Sequence, residues 1–557
     1  MDMNDIRSRL SGFDIVSFDL YDTLVHRSVF SPIRVFDLMA EMITDDASLR
    51  DRFPKERRAA EEAARKKIYP REVDIDAIYR ELPYSDSVKA KLKALEKEVE
   101  IRCSLANPAM VELVDWCREQ GKKVIVTTDM YLDRNTITDI LHRSGVCFEA
   151  LYISGEEGVT KYSGALFQHV LQDLHIDAKN LIHIGDNALS DGKRPEELGI
   201  ASIIINSSRH FTPYINRALR PSVSDEHYGS LIMRGLSFSP DHTPAYSLGY
   251  SVLGPFLYEF CSWLHQEKQR RSLDLLAFVA REGFFIQKCY ECLFPEERGN
   301  TRYIRINKRV LTSSEEEPGM LFSYLEQKGL IGKRVGLVNN SINGTGQFLL
   351  ERMAKKENWP VSLFGLQLIC SKECKSRLDD RFSTFMEYTA LSQFYGYEFF
   401  RNALVIEHLL FEPCGTALRL EQEGGSVDVI CDEQGCESEN NATVEPLQEA
   451  AFQSVQFLSR HSLLGGKGHL GTRLLFEFLI EPDLQDATVI GGLLDRDVDG
   501  ERPLVNDAIP FKHSYLRKKE IPGISWQEGY LRVKQLPGYY YRYFRRRLYL
   551  SYRLHHL

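Results

Sequence analysis

Five short apolar runs in the first two hundred residues restrict the fold more than any other feature of this chain. They are DIVSFD (14–19), KKVIVTTD (122–129), ALYISG (150–155), NLIHIGD (180–186) and IASIIIN (200–206). Each is short and built of β-branched, aromatic or other apolar residues, and stretches of helical spacing separate most of them. That alternation predicts an α/β domain, a parallel sheet with helices on both faces. Between Arg27 and about Asn107 no strand-like run occurs. RFPKERRAAEEAARKKIY and SVKAKLKALEKEVEIRC have helical spacing with dense mixed charge, so a helical insertion is expected directly after the first strand.

A second strand–helix series follows: LDLLAFVA (273–280), TRYIRIN (301–307), KRVGLVNN (333–340) and VSLFGLQLIC (361–370). Between the two series, PSVSDEHYGSLIMRGLSFSPDHTPAY carries Pro and Ser at both ends and reads as a linker. Beyond about Leu391 the pattern weakens. ALRLEQEGGSVDVICDE has alternating arms around Gly424-Gly425 and predicts a hairpin, and helical segments follow it. The expected organisation is a first domain over 1–210, with core 1–27 and 106–210 and insertion 28–105. A second α/β domain over 211–395 and a mixed hairpin and helical region over 396–557 complete it.

Net charge is −9 over 557 residues, which argues against a dedicated nucleic-acid binder. The start, MDMNDIRSRLSGFD, lacks the basic and apolar regions of a secretory signal. LGYSVLGPFLYEFCSWL is too short and mixed for a membrane span. Eleven scattered cysteines then imply reduced thiols in a cytoplasmic chain, where the sequons at Asn206, Asn339, Asn343 and Asn441 carry no meaning. Cys289 and Cys292 with Cys370 and Cys374 have the residue types of a thiolate zinc site, but pairs at helical spacing read first as buried structural thiols.

Four features lie at or just after the ends of the first-domain strands: Asp19 in FDLYDTL, Thr128 in VIVTTDMYL, Lys161 in GVTKYSG, and Asp186 with Asp191 in HIGDNALSD. In a doubly wound sheet the strand carboxyl ends converge on one crevice, so these side chains should meet. One carboxylate can attack, a hydroxyl and an ammonium can hold an anion, and the remaining carboxylates can bind a hard cation. That inventory suits phosphoryl transfer, and Mg²⁺ suits Asp19, Asp186 and Asp191. Thr127 competes with Thr128, and strand alternation favours Thr128. Asn187 is read as positioning its loop through hydrogen bonds, and Asp22 is a candidate displaced acid.

The order D-x-x-x-T, T, K, GD-x-x-x-x-D, with a helical insertion after the first motif, resembles the haloacid dehalogenase (HAD) superfamily over about residues 10–210. The resemblance implies a Rossmannoid sheet with the insertion as a helical cap that closes over the crevice and selects substrate. It also implies Asp19 as covalent nucleophile and Thr128 and Lys161 as phosphate binders. Asp186, Asp191 and the main-chain carbonyl of Tyr21 would join Asp19 at the metal. For Asp22 the resemblance instead implies a part in shaping the first turn. In phosphatases of this superfamily the residue two after the nucleophile is an acid–base aspartate, and here it is Tyr21. Three readings stay open: hydrolysis of a phosphate whose leaving group needs little protonation, carbon–halogen hydrolysis, and a binding role without turnover.

FDLYDTLVHR, AEEAAR, TTDMYL, SGEEGVTKYSGALF and GDNALSD together resemble a bacterial subgroup of predicted HAD hydrolases associated with surface-polysaccharide assembly and glycosyltransferases. A phosphorylated sugar or nucleotide-sugar-like substrate is therefore expected. In the second domain GLVNNSINGTGQ runs from a strand through Gly344-Thr345-Gly346 into a helix. This makes Gly344, Thr345 and Gly346 candidates for a second phosphate or sugar-phosphate site, with Arg281, Arg305, Lys308 and Arg309 as added charge, and a transferase activity there is the alternative. The final stretch, 529–557, holds seven Lys or Arg and no acid amid many Tyr, which suits either the inner face of a membrane or a protein partner.

Overall fold

A computed structural model describes residues 3–205, 212–339, 343–388, 395–412, 415–432, 437–464, 468–497, 500–517 and 521–543. The chain divides into two compact units. Met1–His210, Arg220–Pro240 and His461–Lys467 form the first, and Phe211–Leu219, Asp241–Arg460 and Gly468–Leu557 the second.

In the first unit all five apolar runs are strands: β1 (Ile15–Phe18), β4 (Lys123–Thr128), β5 (Ala150–Ile153), β6 (Leu181–Gly185) and β7 (Ala201–Ile204). They form one parallel sheet in the order β5-β4-β1-β6-β7, with Phe18 level with Val126 on one side and Ile184 on the other. The strand order reverses at β1, so the crevice opens between the ends of β1 and β6. The insertion is closed at its base by a short antiparallel ribbon, β2 (Val25–Arg27) with β3 (Ser104–Ala106). Between them lie the helices Arg34–Met42, Ala47–Ile68, Ile75–Arg80 and Asp86–Cys103, three of them started by a side-chain cap on Asp46, Asp74 or Ser85. The buried face of Asp86–Cys103 carries Leu92, Glu96, Val99, Glu100 and Cys103, at the three-and-four spacing of one helical face. Two of those five are acids, and each has a partner. Arg57 holds Glu96 at 2.7 Å with both side chains fully buried, and Arg27 holds Glu100 at 3.0 Å.

The second unit has its own parallel sheet, with strands β8 (Leu275–Val279), β9 (Thr301–Ile304), β10 (Arg334–Asn339), β11 (Ser362–Gln367) and β12 (Phe382–Thr384) in the order β12-β11-β10-β8-β9. The three-residue β12 has no legible run in the sequence. The hairpin β13 (Ala417–Glu423) and β14 (Ser426–Cys431) turns at Gly424 and Gly425, whose φ values of 57° and 92° suit glycine. The basic stretch at 529–557 begins inside this unit. Tyr530 and Leu531 are buried on the helix Gln527–Val533, and the Tyr530 hydroxyl donates to the Ile509 carbonyl. Residues 544–557 of that stretch lie outside the described residues. The cysteines of the zinc alternative do not assemble. Among the described residues, three candidate metal-binding atoms come together only at Asp19, Asp186 and Asp191.

The stretch read as a linker is a helix, Val223–Ser237, buried along most of its length in the first unit. Its Pro- and Ser-rich ends are a helix boundary rather than loose chain: the Ser222 hydroxyl caps the Asp225 N–H. Glu226 pairs with Arg34 of the insertion, and His227 lies 2.9 Å from the Ser28 carbonyl through Nδ1. The His227 Nε2 accepts the Leu463 N–H at 3.1 Å. One ring nitrogen donates and the other accepts, so the geometry demands the neutral imidazole. Burial accordingly pushes His227 down to about 4 from 6.5. The unfolded chain therefore binds a proton at this site that the folded chain refuses, and stability falls as pH drops from about 6.5 towards 4. His227→Gln keeps a donor and an acceptor but cannot titrate. In urea unfolding at pH 7.5 and pH 5, the variant should lose on the order of 2 kcal/mol less stability than the parent between the two. Equal losses would place the acid sensitivity elsewhere.

Candidate active site

β1 delivers Asp19 to the crevice, and the Asp19 N–H donates to the Ile184 carbonyl at 2.8 Å, which ties the start of the loop to β6. The chain then folds back tightly. Asp22 N–H donates to the Val25 carbonyl and Val25 N–H to that of Leu20, with Asp22 at φ 57°. Aspartate tolerates that left-handed conformation better than most residues. Its carboxylate lies 3.1 Å from His26 Nδ1 and accepts from Arg234 at 2.9 Å. Asp22 thus links the turn to the Val223–Ser237 helix.

Lys161 reaches the middle of the crevice, where its ammonium donates to Asp19 Oδ1 and to Asp191 Oδ1, each at 2.6 Å. The lysine is 2% exposed, so these ion pairs stand almost free of water. Burial alone would pull its pKa down, but Asp19 and Asp191 overcome that and leave it above the ordinary lysine value. The loop bearing Lys161 is anchored by Asp129, whose carboxylate accepts the Lys161 N–H at 2.7 Å and the Tyr162 N–H at 3.1 Å.

A buried relay supports Asp191 from behind. Thr127 and Ser17 hydroxyls meet at 2.9 Å, Ser17 meets His183 Nδ1 at 2.8 Å, and His183 Nε2 lies 3.2 Å from Asp191 Oδ1. An ionised carboxylate only accepts, so the proton sits on His183 Nε2 and Nδ1 takes the Ser17 hydroxyl. Burial opposes charge on Asp191, yet the His183 hydrogen bond and Lys161 hold it well below the usual carboxylate range. Asp186 is the opposite case. Burial, followed by the nearby Asp19, Asp22 and Asp191 carboxylates, raises it to about 6. Such crowding of acids is what a hard cation relieves. One oxygen each of Asp19, Asp186 and Asp191 lies within 4.8 Å of the others, so the residues fit a Mg²⁺-type ion.

Asp19, Thr128, Lys161, Asp186 and Asp191 all line one cavity of about 360 Å³, together with residues of the insertion. Thr128 faces that cavity while the neighbouring Thr127 points to Ser17. Tyr21 lines it too, but its hydroxyl is committed: it donates to Glu100 at 3.0 Å, and the Arg27 guanidinium lies 3.4 Å above its ring. Burial, with the Glu100 charge beside it, raises the Tyr21 pKa far above a free tyrosine. Gly344, Thr345 and Gly346 belong to the second unit and not to this cavity.

Sequence reasoning passes over Asp129, His183, Arg27 and Glu100. Asp129 directly follows the threonine pair and Arg27 lies eight residues beyond Asp19, so proximity to a motif was the available signal. Glu100 has none, because it lies in a charged helical run of the kind that usually faces solvent. Asp129→Ala should release the lysine loop. Amide exchange at Lys161 and Tyr162 should rise by about tenfold or more, the scale of losing hydrogen bonds to a charged acceptor. Unchanged exchange, read by mass spectrometry on peptides covering 158–163, would show that Asp129 is not the anchor.

A family model for haloacid dehalogenase-like hydrolases matches residues 13–192. No curated protein matches the chain. Among solved structures, the chain is similar to the L-2-haloacid dehalogenase of Xanthobacter autotrophicus with chloropropionic acid covalently bound. Identity is 13%, the match covers 37% of this chain and 82% of that one, and the TM-score is 0.27. A 2-haloacid dehalogenase of Pseudomonas syringae is similar at 19% identity, with 35% and 86% covered and a TM-score of 0.27. A predicted phosphoglycolate phosphatase of Haemophilus somnus stands at 15%, 36% and 88%, with a TM-score of 0.25. With its ordered motifs on a parallel α/β sheet, the 13–192 segment belongs to the haloacid dehalogenase-like hydrolases.

Proposed function

We propose that the first unit is a Mg²⁺-dependent phosphohydrolase acting through an aspartyl-phosphate on Asp19. One observation carries the reading: a nucleophilic carboxylate, a buried ammonium and two more carboxylates share one cavity with the Thr128 hydroxyl. Lys161 and Thr128 would hold the phosphoryl oxygens, and Lys161 would orient Asp19 and offset part of the burial that raises its pKa. Asp19, Asp186 and Asp191 with the Tyr21 carbonyl would hold the metal, which supplies charge neutralisation on the phosphoryl group when bound. Asp186 and Asp191 favour this over carbon–halogen hydrolysis, which has no need of a cation site.

The substrate class follows from what Tyr21 lacks. A tyrosine whose hydroxyl is held by Glu100 and whose pKa is raised neither donates readily nor serves as a base. The leaving group must therefore depart with little protonation. A pyrophosphate linkage in a nucleotide-sugar-like molecule, or a sugar bearing an activated phosphate, meets that requirement better than a simple alkyl ester. The same fixed hydroxyl supports the alternative of a scaffold that binds such a ligand without turnover. The motif resemblance supports a role in cell-surface polysaccharide assembly, beside a glycosyltransferase or the inner face of the cytoplasmic membrane. Among the described residues, no helix is long and apolar enough to cross a membrane.

Phosphate release should be assayed across nucleotide sugars, acyl phosphates, aryl phosphates and sugar phosphates. It should require Mg²⁺, vanish with EDTA and vanish in Asp19→Asn. The rate should rise steeply as the leaving group becomes more acidic. Absence of Asp19-dependent release on every compound would favour the binding role. Tyr21→Phe should change kcat by less than about threefold, whereas removing a working general acid costs about 10²–10⁴-fold. A loss of that size would make Tyr21 the acid.

A further inference from the structure

The second unit holds a cavity of about 500 Å³ outside the carboxyl ends of β8, β9 and β10. In the order β12-β11-β10-β8-β9, the chain switches direction across the sheet between β8 and β10. That is where open α/β sheets gather their ligands. One side of the cavity is formed by the start of the Thr345–Lys356 helix, through Thr345 and Gly346, with Lys308 alongside. Gly344, at φ 61°, turns the chain into this helix and supplies no side-chain cap, so the first-turn N–H groups lack one. Arg377 steadies the turn by donating to Thr345 Oγ1 and to the Asn343 carbonyl.

The other side of the cavity has a different character. Glu282, Asn307, Asn339 and Glu407 line it. Of the four cations that the sequence offers for this crevice, Lys308, itself exposed, alone lines this cavity. Arg305 pairs instead with Glu412, the Arg281 guanidinium lies 3.8 Å from the Phe411 ring, and Arg309 does not line it. Burial, then the neighbouring Glu282, raises Glu407 to about 8, so its carboxyl can both donate and accept near neutral pH. Gln347 lines the cavity as well and is 2% exposed. Its Nε2 donates to Glu351 and to the Arg381 carbonyl, while its Oε1 has no hydrogen-bond donor among the described residues. A buried carbonyl oxygen left so is costly unless a ligand or water supplies the donor.

We propose that this cavity is a second ligand site, separate from the Asp19 cavity, for a phosphorylated polyol of the sugar-phosphate class. The phosphate would lie against the helix start and Lys308, where N–H groups and the helix dipole favour an anion. The hydroxyls would face Glu282, Asn307, Asn339 and Glu407, which offer both donors and acceptors.

Gly346 allows a clean test. A Cβ there would meet only Leu311 at 3.6 Å and Asn339 at 3.9 Å, and an acid in a helix's first turn supports the helix. Gly346→Asp should therefore fold yet repel phosphate. The assay uses the full chain carrying Asp19→Asn, which removes turnover, with hydrogen exchange read on peptides covering 343–350 and 305–311. Ribose 5-phosphate at millimolar concentration should slow exchange in both, and inorganic phosphate should do so more weakly. Gly346→Asp and Lys308→Ala should each weaken the apparent affinity by about tenfold or more. Glu407→Gln should bring ribose 5-phosphate down to the level of phosphate alone. Protection that is absent for ribose 5-phosphate, or equal in Gly346→Asp, would overturn the site. Neither result bears on Asp19-dependent phosphate release, so the two readings fail separately.

Discussion

The Lys161 ammonium, held between Asp19 and Asp191, is the interaction on which the first unit's site depends. Three charged groups from three different strand ends meet with almost no water to screen them. Removing charges from water is costly, and the cost is offset only where geometry is good and further hydrogen bonds satisfy each group. The structure meets that condition on every side. Asp129 fixes the lysine's backbone, His183 and the Asn187 N–H satisfy Asp191, and Ser17 with Thr127 orient His183. Each support lies on or beside a strand of one parallel sheet, so the strand order that brings β4, β1 and β6 together also assembles the charge cluster.

The insertion reaches the site through a second set of buried charges. Glu100 ties Arg27 and Tyr21 together, and Glu96 binds Arg57 with the Tyr79 hydroxyl. Losing one partner from such a pair leaves an uncompensated buried charge, which makes the arrangement of insertion and core specific rather than merely greasy. Tyr21 takes part in this set, with its hydroxyl held by Glu100 and its ring under Arg27. It thereby helps join the insertion to the loop that carries Asp19.

Most strands were legible because their apolar runs are short and bounded, and only one local property, apolar patterning, is needed to place them. β12 escaped because three residues make no pattern. The Val223–Ser237 helix reads as a linker in sequence because its Pro and Ser ends carry the same composition. What separates the two is whether the residues between find partners, and Glu226, His227 and Arg234 find theirs nearly two hundred residues or more away in sequence.

The site divides along the same line. Asp19, Thr128, Lys161, Asp186 and Asp191 could be named in advance, because a doubly wound sheet sends the ends of its strands to one crevice wherever the strands lie in sequence. Local pattern was enough to bring those side chains to one crevice. The fates of Tyr21, Glu100, His183 and Gln347 were beyond it. Whether a tyrosine hydroxyl is free or held, or a charged residue faces water or a buried partner, depends on which distant group stands opposite. That pairing exists only once the chain has folded, because burial removes the water that would otherwise satisfy every polar group alike.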